Sequence, residues 1–230
     1  MDLLARVPLK EVALAADLGC GTGTSTELLA ARWPGVRTVG VDTSPAMLKL
    51  ARQGHPDWQW EQAEIEKWMG REPLDLIFSN AALHWVADHG KVFPRLLGQV
   101  RSGGVLAVQI PRNFGAPSHH LMRVAGEPWA ERLPVQPAWS GDPSFYYDLL
   151  APLSTTLDLW ETEYHHVMDS VESILHWVRG AALRPYLDAL EEGDRPIYEA
   201  SYLELIKEAY PPQADGKVLL PFRRLFLVAV

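Results

Sequence analysis

Apolar positions along the first 110 residues follow two alternating rhythms. Short runs at 12–18, 37–41, 58–61, 74–79 and 105–110 read as strands. Between them, over 24–33, 45–51 and 88–100, apolar residues return at helical spacing. Pro34-Gly35 stops the first helix, and Ser44-Pro45 starts the second, with Ser as the cap and Pro in the first turn. Ser102-Gly103-Gly104 is expected to end the third. The run 74–79 is apolar on both faces, as a buried parallel strand should be, apart from Asp75. Such a β-α-β-α order predicts a parallel sheet with right-handed crossovers.

Beyond Pro111 the texture changes. Proline recurs at 117, 128, 134, 137 and 143 between short helical pieces rich in Trp and Tyr. The stretches 157–168 and 218–230 read as two further strands, with helices near 171–179 and 197–209. The reading is one α/β domain over 1–230, with helical segments at 111–156 and 169–217 expected to cap a substrate.

Composition narrows the class. A chain of 230 residues with 47% hydrophobic and 22% charged side chains is globular. The single Cys20 forms no internal disulfide and fits a reducing, cytoplasmic setting. No apolar run reaches the ~18 residues of a membrane span, and the first ten residues lack a signal-peptide pattern. The net charge is −8, and it is uneven: residues 1–115 carry 12 basic and 12 acidic side chains, residues 116–230 carry 9 and 17. An acidic half without a basic run argues against nucleic acid and against anionic membrane surfaces.

Asp17-Leu-Gly19-Cys-Gly21-Thr-Gly23 lies between the first strand and the first helix. Glycines there let backbone N–H groups approach a ligand and make a tight turn. A dinucleotide loop needs G-x-G-x-x-G, but position 24 is Thr. Asp17 would repel a pyrophosphate and attract an ammonium. Asp42, ending the second strand, accepts ribose hydroxyls and repels a 2′-phosphate. The loop therefore suits a cationic, non-phosphorylated nucleoside.

This constellation resembles the class I S-adenosylmethionine (AdoMet) methyltransferases. The resemblance implies a Rossmann-like seven-stranded sheet of order 3-2-1-4-5-7-6, with AdoMet across the carboxyl ends of the strands and no metal. It assigns the methionine ammonium to Asp17, the methionine and ribose to Gly19, Gly21 and Gly23, and the ribose hydroxyls to Asp42. Glu64 and Ile65 would flank the adenine, with Asn80 and Ala81 contributing from the end of the fourth strand. Further motifs are Phe78-Ser-Asn-Ala-Ala-Leu-His-Trp85, Asn113, Ser144-Phe-Tyr-Tyr-Asp148, Arg184-Pro-Tyr-Leu187 and Leu220-Pro-Phe-Arg-Arg-Leu-Phe226. They are similar to those of a branch that forms methyl esters on small polycarboxylic acids such as trans-aconitate. Members of the family carry a longer segment before the first strand, which forms a lid over AdoMet. Here 1–8 reads as the end of that segment, so a more open cofactor site is expected.

A carboxylate is already ionised at pH 7, so this chemistry needs alignment and no general base. His84 and Trp85 are the expected positioning residues: Trp85 as a wall for the sulfonium, His84 as a donor to a substrate carboxylate. Arg suits a carboxylate clamp because its planar fork holds two oxygens. Arg184 and Arg179 are the first candidates, beside Arg223 and Arg224, with Tyr146 or Tyr147 adding a hydroxyl. The pairs His119-His120 and His165-His166 lack a ligand motif, so no metal is assigned. Two alternatives stand beside this reading. Trp129, Trp139, Tyr146 and Tyr147 would also suit an aromatic methyl acceptor, O- or N-linked. A chain without its front lid would also suit a non-catalytic AdoMet-binding role.

Overall fold

The computed structural model describes residues 2–133, 140–180 and 182–230, so Pro134, Pro137 and Trp139 lie outside the described residues. Seven strands form one sheet of order β3-β2-β1-β4-β5-β7-β6. They are β1 (Leu14–Leu18), β2 (Arg37–Asp42), β3 (Gln59–Gln62), β4 (Leu74–Asn80), β5 (Val100–Pro111), β6 (Leu157–Met168) and β7 (Val218–Ala229). β3, β2, β1, β4 and β5 pair in parallel. The Val230 N–H donates to the Thr156 carbonyl, and Trp160 stacks on Phe226 at 4.9 Å. Rising numbers on β6 thus meet falling numbers on β7, so the two run antiparallel.

Contacts divide the chain into two units. The first comprises 1–110, 138–161 and 225–230; the second comprises 111–137 and 162–224. The proline-rich stretch 111–156 is therefore shared between them.

In the first unit the crossovers are α2 (Thr24–Arg32), α3 (Pro45–Gly54) and α4 (His89–Leu97), with α6 (Pro143–Leu150) later in the chain. Its core joins Leu18, Ile77, Phe93, Leu106, Val108 and Leu227. Ahead of β1, α1 (Asp2–Ala5) buries Leu3 and Leu4, and Arg32 donates to the carbonyls of Leu4 and Val7. Asp75, the polar exception in β4, has a structural purpose. One oxygen accepts the N–H groups of Ala13 (2.7 Å) and Leu14 (2.9 Å), and the other meets Arg101. Removing that carboxylate would take the partner from two main-chain donors at the start of β1.

The Ser102-Gly103-Gly104 segment corrects the expected end of a helix. α4 already stops at Leu97, and β5 begins at Val100. The glycines lie where the β4–β5 register shifts between Leu74–Val100 and Leu76–Val105, a bulge that glycine tolerates.

The second unit is helical around its strand segments: α5 (Pro117–Ala125), α7 (Val171–Arg179), α8 (Arg184–Ala189) and α9 (Asp194–Ala209). Its core includes Met122, Ile174, Tyr186, Tyr198, Tyr202 and Leu220. Phenol tips inside it reach backbone. Tyr202 donates to Ser118 O, Tyr198 donates to Met122 O, and the Tyr210 hydroxyl accepts the Ser118 N–H.

Candidate active site

The glycine loop leaves β1 through left-handed backbone at Gly19 (φ 74°) and Gly21 (φ 55°), a region where other residues are strained. The Gly19 and Cys20 N–H groups both donate to Val41 O, and the Gly21 N–H donates to Asp42 Oδ2 at 2.9 Å. Asp42 Oδ1 also accepts the Ser44 N–H at 2.8 Å. Asp42 thus braces the loop and the start of α3, a task the sequence did not disclose. Each carboxylate oxygen keeps further acceptor capacity for a ribose hydroxyl. A side chain at Gly19 would place its Cβ 2.1 Å from the Ala82 Cβ, whereas the same test at Gly21 meets open space. The loop is therefore packed on one side and open at its tip.

Asp17 is fully buried at the end of β1. Ser25 and Thr26 donate their hydroxyls to Oδ2 at 2.7 and 2.6 Å. Oδ1 has no hydrogen-bond partner. Burial pushes the carboxyl up to about 6, with the two hydroxyls opposing and Asp42 adding to the rise. Buried polar atoms are nearly always paired. A buried carboxylate oxygen without a partner, two residues before the first loop glycine, fits the ammonium of AdoMet.

A cleft of about 560 Å³ opens beside this loop, within the range of ligand sites. Gly19, Asp42, Glu64, Ile65, Ala81 and Trp85 are among its lining residues. Those six are among the eleven residues expected to handle the cofactor and its methyl end; Asp17, Gly21, Gly23, Asn80 and His84 are not in its lining. Ile65 is buried, while Glu64 is exposed and paired with Lys67 at 2.6 Å. Asn80 ends β4 opposite Gln109. Ala81 has φ 58°, the one positive value outside glycine among the described residues, and its N–H donates to Gln109 O. Strained backbone of this kind concentrates at ligand sites, and nothing in the sequence signals it. His84 is buried and Trp85 is 44% exposed, their rings 4.8 Å apart on the helical turn Leu83–Trp85. Cys20 is buried, and burial together with Asp17 and Asp42 pushes its thiol well above its usual range.

The expected substrate residues fare differently. Tyr146 is a correction: it is fully buried in the first unit, and its hydroxyl accepts the Gly141 N–H (3.0 Å) and meets His89 Nδ1 at 2.7 Å. That hydroxyl serves the interior, not a ligand. Tyr147, its neighbour on α6, is 56% exposed. In the second unit Arg179 pairs with Glu199 at 2.7 Å, and Arg184 makes an exposed pair with Asp188 at 3.6 Å. Arg223 meets Glu163 at 3.3 Å, and Arg224 lies over Tyr164 and Phe222. Each cation therefore already has company. His165 and His166 alternate between faces of β6, but His119-His120 lies on α5, where burial and Arg123 push His119 down to about 4. Among the described residues no three His, Cys, Asp or Glu side chains converge as metal ligands.

One residue of the second unit was not given a role by its motif alone. Asn113 is buried, and its Oδ1 accepts the Arg223 N–H at 2.8 Å. That bond fixes the amide orientation and leaves Nδ2 as a buried donor without a partner.

An acid closing each of the first two strands, around a glycine loop too short in spacing for a dinucleotide, defines a class I AdoMet-dependent methyltransferase. Residues 15–104 match the family described as methyltransferase domain. The YcgJ protein from Bacillus subtilis shares the fold: TM-score 0.61 at 15% identity, over 99% of this chain and 94% of that one. The trans-aconitate 2-methyltransferase of Azoarcus sp. (strain BH72) is 53% identical over 231 residues, covering 100% of this chain and 91% of the relative. That of Rhodopseudomonas palustris (strain BisB18) is 48% identical over 235 residues, with the same two shares of 100% and 91%. The chain belongs to the trans-aconitate 2-methyltransferase family. No helix among the described residues is long and apolar enough to cross a membrane.

Proposed function

We propose that this protein methylates a carboxylate oxygen of trans-aconitate, an oxygen–methyl bond forming as the sulfur–methyl bond breaks. Full-length identity to relatives of that name supports the acceptor, and the unpartnered Asp17 Oδ1 is the observation that carries the cofactor assignment. Bound AdoMet supplies a methyl group on a positively charged sulfur. Asp17 holds the ammonium, the loop from Gly19 to Gly23 follows the methionine and ribose, and Asp42 accepts from the ribose hydroxyls. Ile65 packs on the adenine and Glu64 accepts from its amine, while Asn80 and Ala81 complete the wall. Trp85 covers the sulfonium and excludes water, and His84 beside it donates to a carboxylate of the acid. No group need take a proton, because the acceptor is ionised at neutral pH.

For the acid, we read the segments 111–156 and 169–217 as its cap and Asn113 Nδ2 as a carboxylate donor. Arg184, Arg179 and Tyr147 remain proposed contacts that must first leave their present partners or solvent. The function is tested with purified protein, labelled AdoMet and a panel of acids, phenols and amines. Base-labile methyl ester on trans-aconitate is the expected product, with phenols and amines unmodified. AdoMet binding without esterification of any acid would overturn the reading. Asn113→Asp keeps an acceptor for the Arg223 N–H but replaces the free donor. It should raise KM for the acid about tenfold or more while leaving AdoMet affinity unchanged. An unaltered acid KM would remove Asn113 from the site.

A further inference from the structure

Behind the cofactor cleft the first unit contains a buried polar chain that methyl transfer itself does not use. His89, at the start of α4, donates from Nε2 to Leu83 O at 2.8 Å. The Leu83 carbonyl also closes its own turn by accepting the Val86 N–H at 3.0 Å. With Nε2 as the donor, Nδ1 is the acceptor and takes the Tyr146 O–H at 2.7 Å. The Tyr146 oxygen in turn accepts the Gly141 N–H at 3.0 Å. Burial lowers the His89 pKa, with the Leu83 and Val86 carbonyls opposing, so the ring stays neutral and keeps this direction. Phe93 packs against both rings, each at 5.1 Å, and all three side chains are buried.

The end of this chain lies under the lip of the cleft. Ala82, Trp85 and Val86 line the cleft, and Leu83 and His84 are the buried residues among them. We propose that His89 and Tyr146 are positioning residues that hold the Leu83–Trp85 turn, and through it Trp85, in place against AdoMet. The proposal rests on the reading of Trp85 as a cofactor wall. It gives the core hydrogen-bond chain a role in ligand affinity that simple packing would not need, since an apolar pair of the same shape would fill the space as well.

Calorimetric AdoMet titrations of Tyr146→Phe, Trp85→Ala and the double variant provide the test. Tyr146→Phe keeps the ring and removes the hydroxyl, and should weaken AdoMet binding about three- to tenfold. In the double variant the Tyr146 effect should vanish, because the residue it acts through is gone. His89→Gln retains a donor for Leu83 and an acceptor for Tyr146, so its affinity should stay within about twofold, whereas His89→Leu should match Tyr146→Phe. Melting temperatures separate this from general loosening, which lowers stability without the non-additivity. Multiplying effects in the double variant, or unchanged affinity in Tyr146→Phe, overturn the proposal. If Trp85→Ala alone leaves affinity unchanged, the cofactor-wall reading fails and the relay with it. Ester formation by the parent protein is measured separately and would still stand.

Discussion

Asp17→Asn is expected to remove nearly all AdoMet affinity while leaving the ligand-free protein at least as stable at pH 7. Losing the charged partner of a desolvated ammonium costs about 2–5 kcal/mol, which is about thirtyfold to more than a thousandfold in Kd. Stability moves the other way. The carboxyl lies at about 6 in the folded chain against 3.8 unfolded, so the folded state binds its proton more tightly. Stability from this group is therefore greatest below about pH 4 and falls as pH rises through 6. Above that range the buried charge costs the free protein about 3 kcal/mol. Asn avoids that cost and still accepts from the Ser25 and Thr26 hydroxyls. The same titration governs binding: parent affinity should be flat between about pH 6 and 7 and fall about tenfold per unit below 6, while the variant shows no such slope. Calorimetry from pH 5 to 8, with thermal melts alongside, measures both. A variant that binds AdoMet like the parent would end the assignment of Asp17.

Gly19→Ala should destabilise the fold more than any other single change in the loop. It adds a Cβ at φ 74°, costing about 1–2 kcal/mol in backbone strain. It also drives that atom to 2.1 Å from the Ala82 Cβ, which overpacking values place at about 1–3 kcal/mol. The melting temperature should fall by about 5–12 °C, with AdoMet binding lost in parallel. Gly21→Ala, with open space around its Cβ, should show the strain alone. Adding Ala82→Gly to Gly19→Ala should recover the packing part. Equal effects at Gly19 and Gly21 would mean that the loop does not rest on Ala82.

The strands were legible because they depend on local pattern. An apolar run ending in Asp-x-Gly-x-Gly places Asp17 by itself, and β6 matches its predicted span of 157–168. What escaped depends on contacts far apart in the chain. Ser102-Gly103-Gly104 looks like a helix stop, and only the β4–β5 register shows a bulge. Tyr146 and Tyr147 are indistinguishable by type, yet one caps a core histidine and the other faces solvent. Arg184 carries the motif, but Asp188 one helical turn later already holds it. Asn113 became interpretable only when Arg223, 110 positions away, used one end of its amide.

The tyrosines around α5 carry a consequence for how that helix tolerates change. Tyr198, Tyr202 and Tyr210 all contact main-chain atoms at Ser118 and Met122, never their side chains, through hydrogen bonds. Main-chain atoms are common to every residue except proline at the N–H, so the grip is blind to sequence. The exposed positions of α5 are thus free to drift through neutral substitutions without shifting the helix. The cost attaches instead to the phenols, since replacing one takes a partner from the α5 main chain.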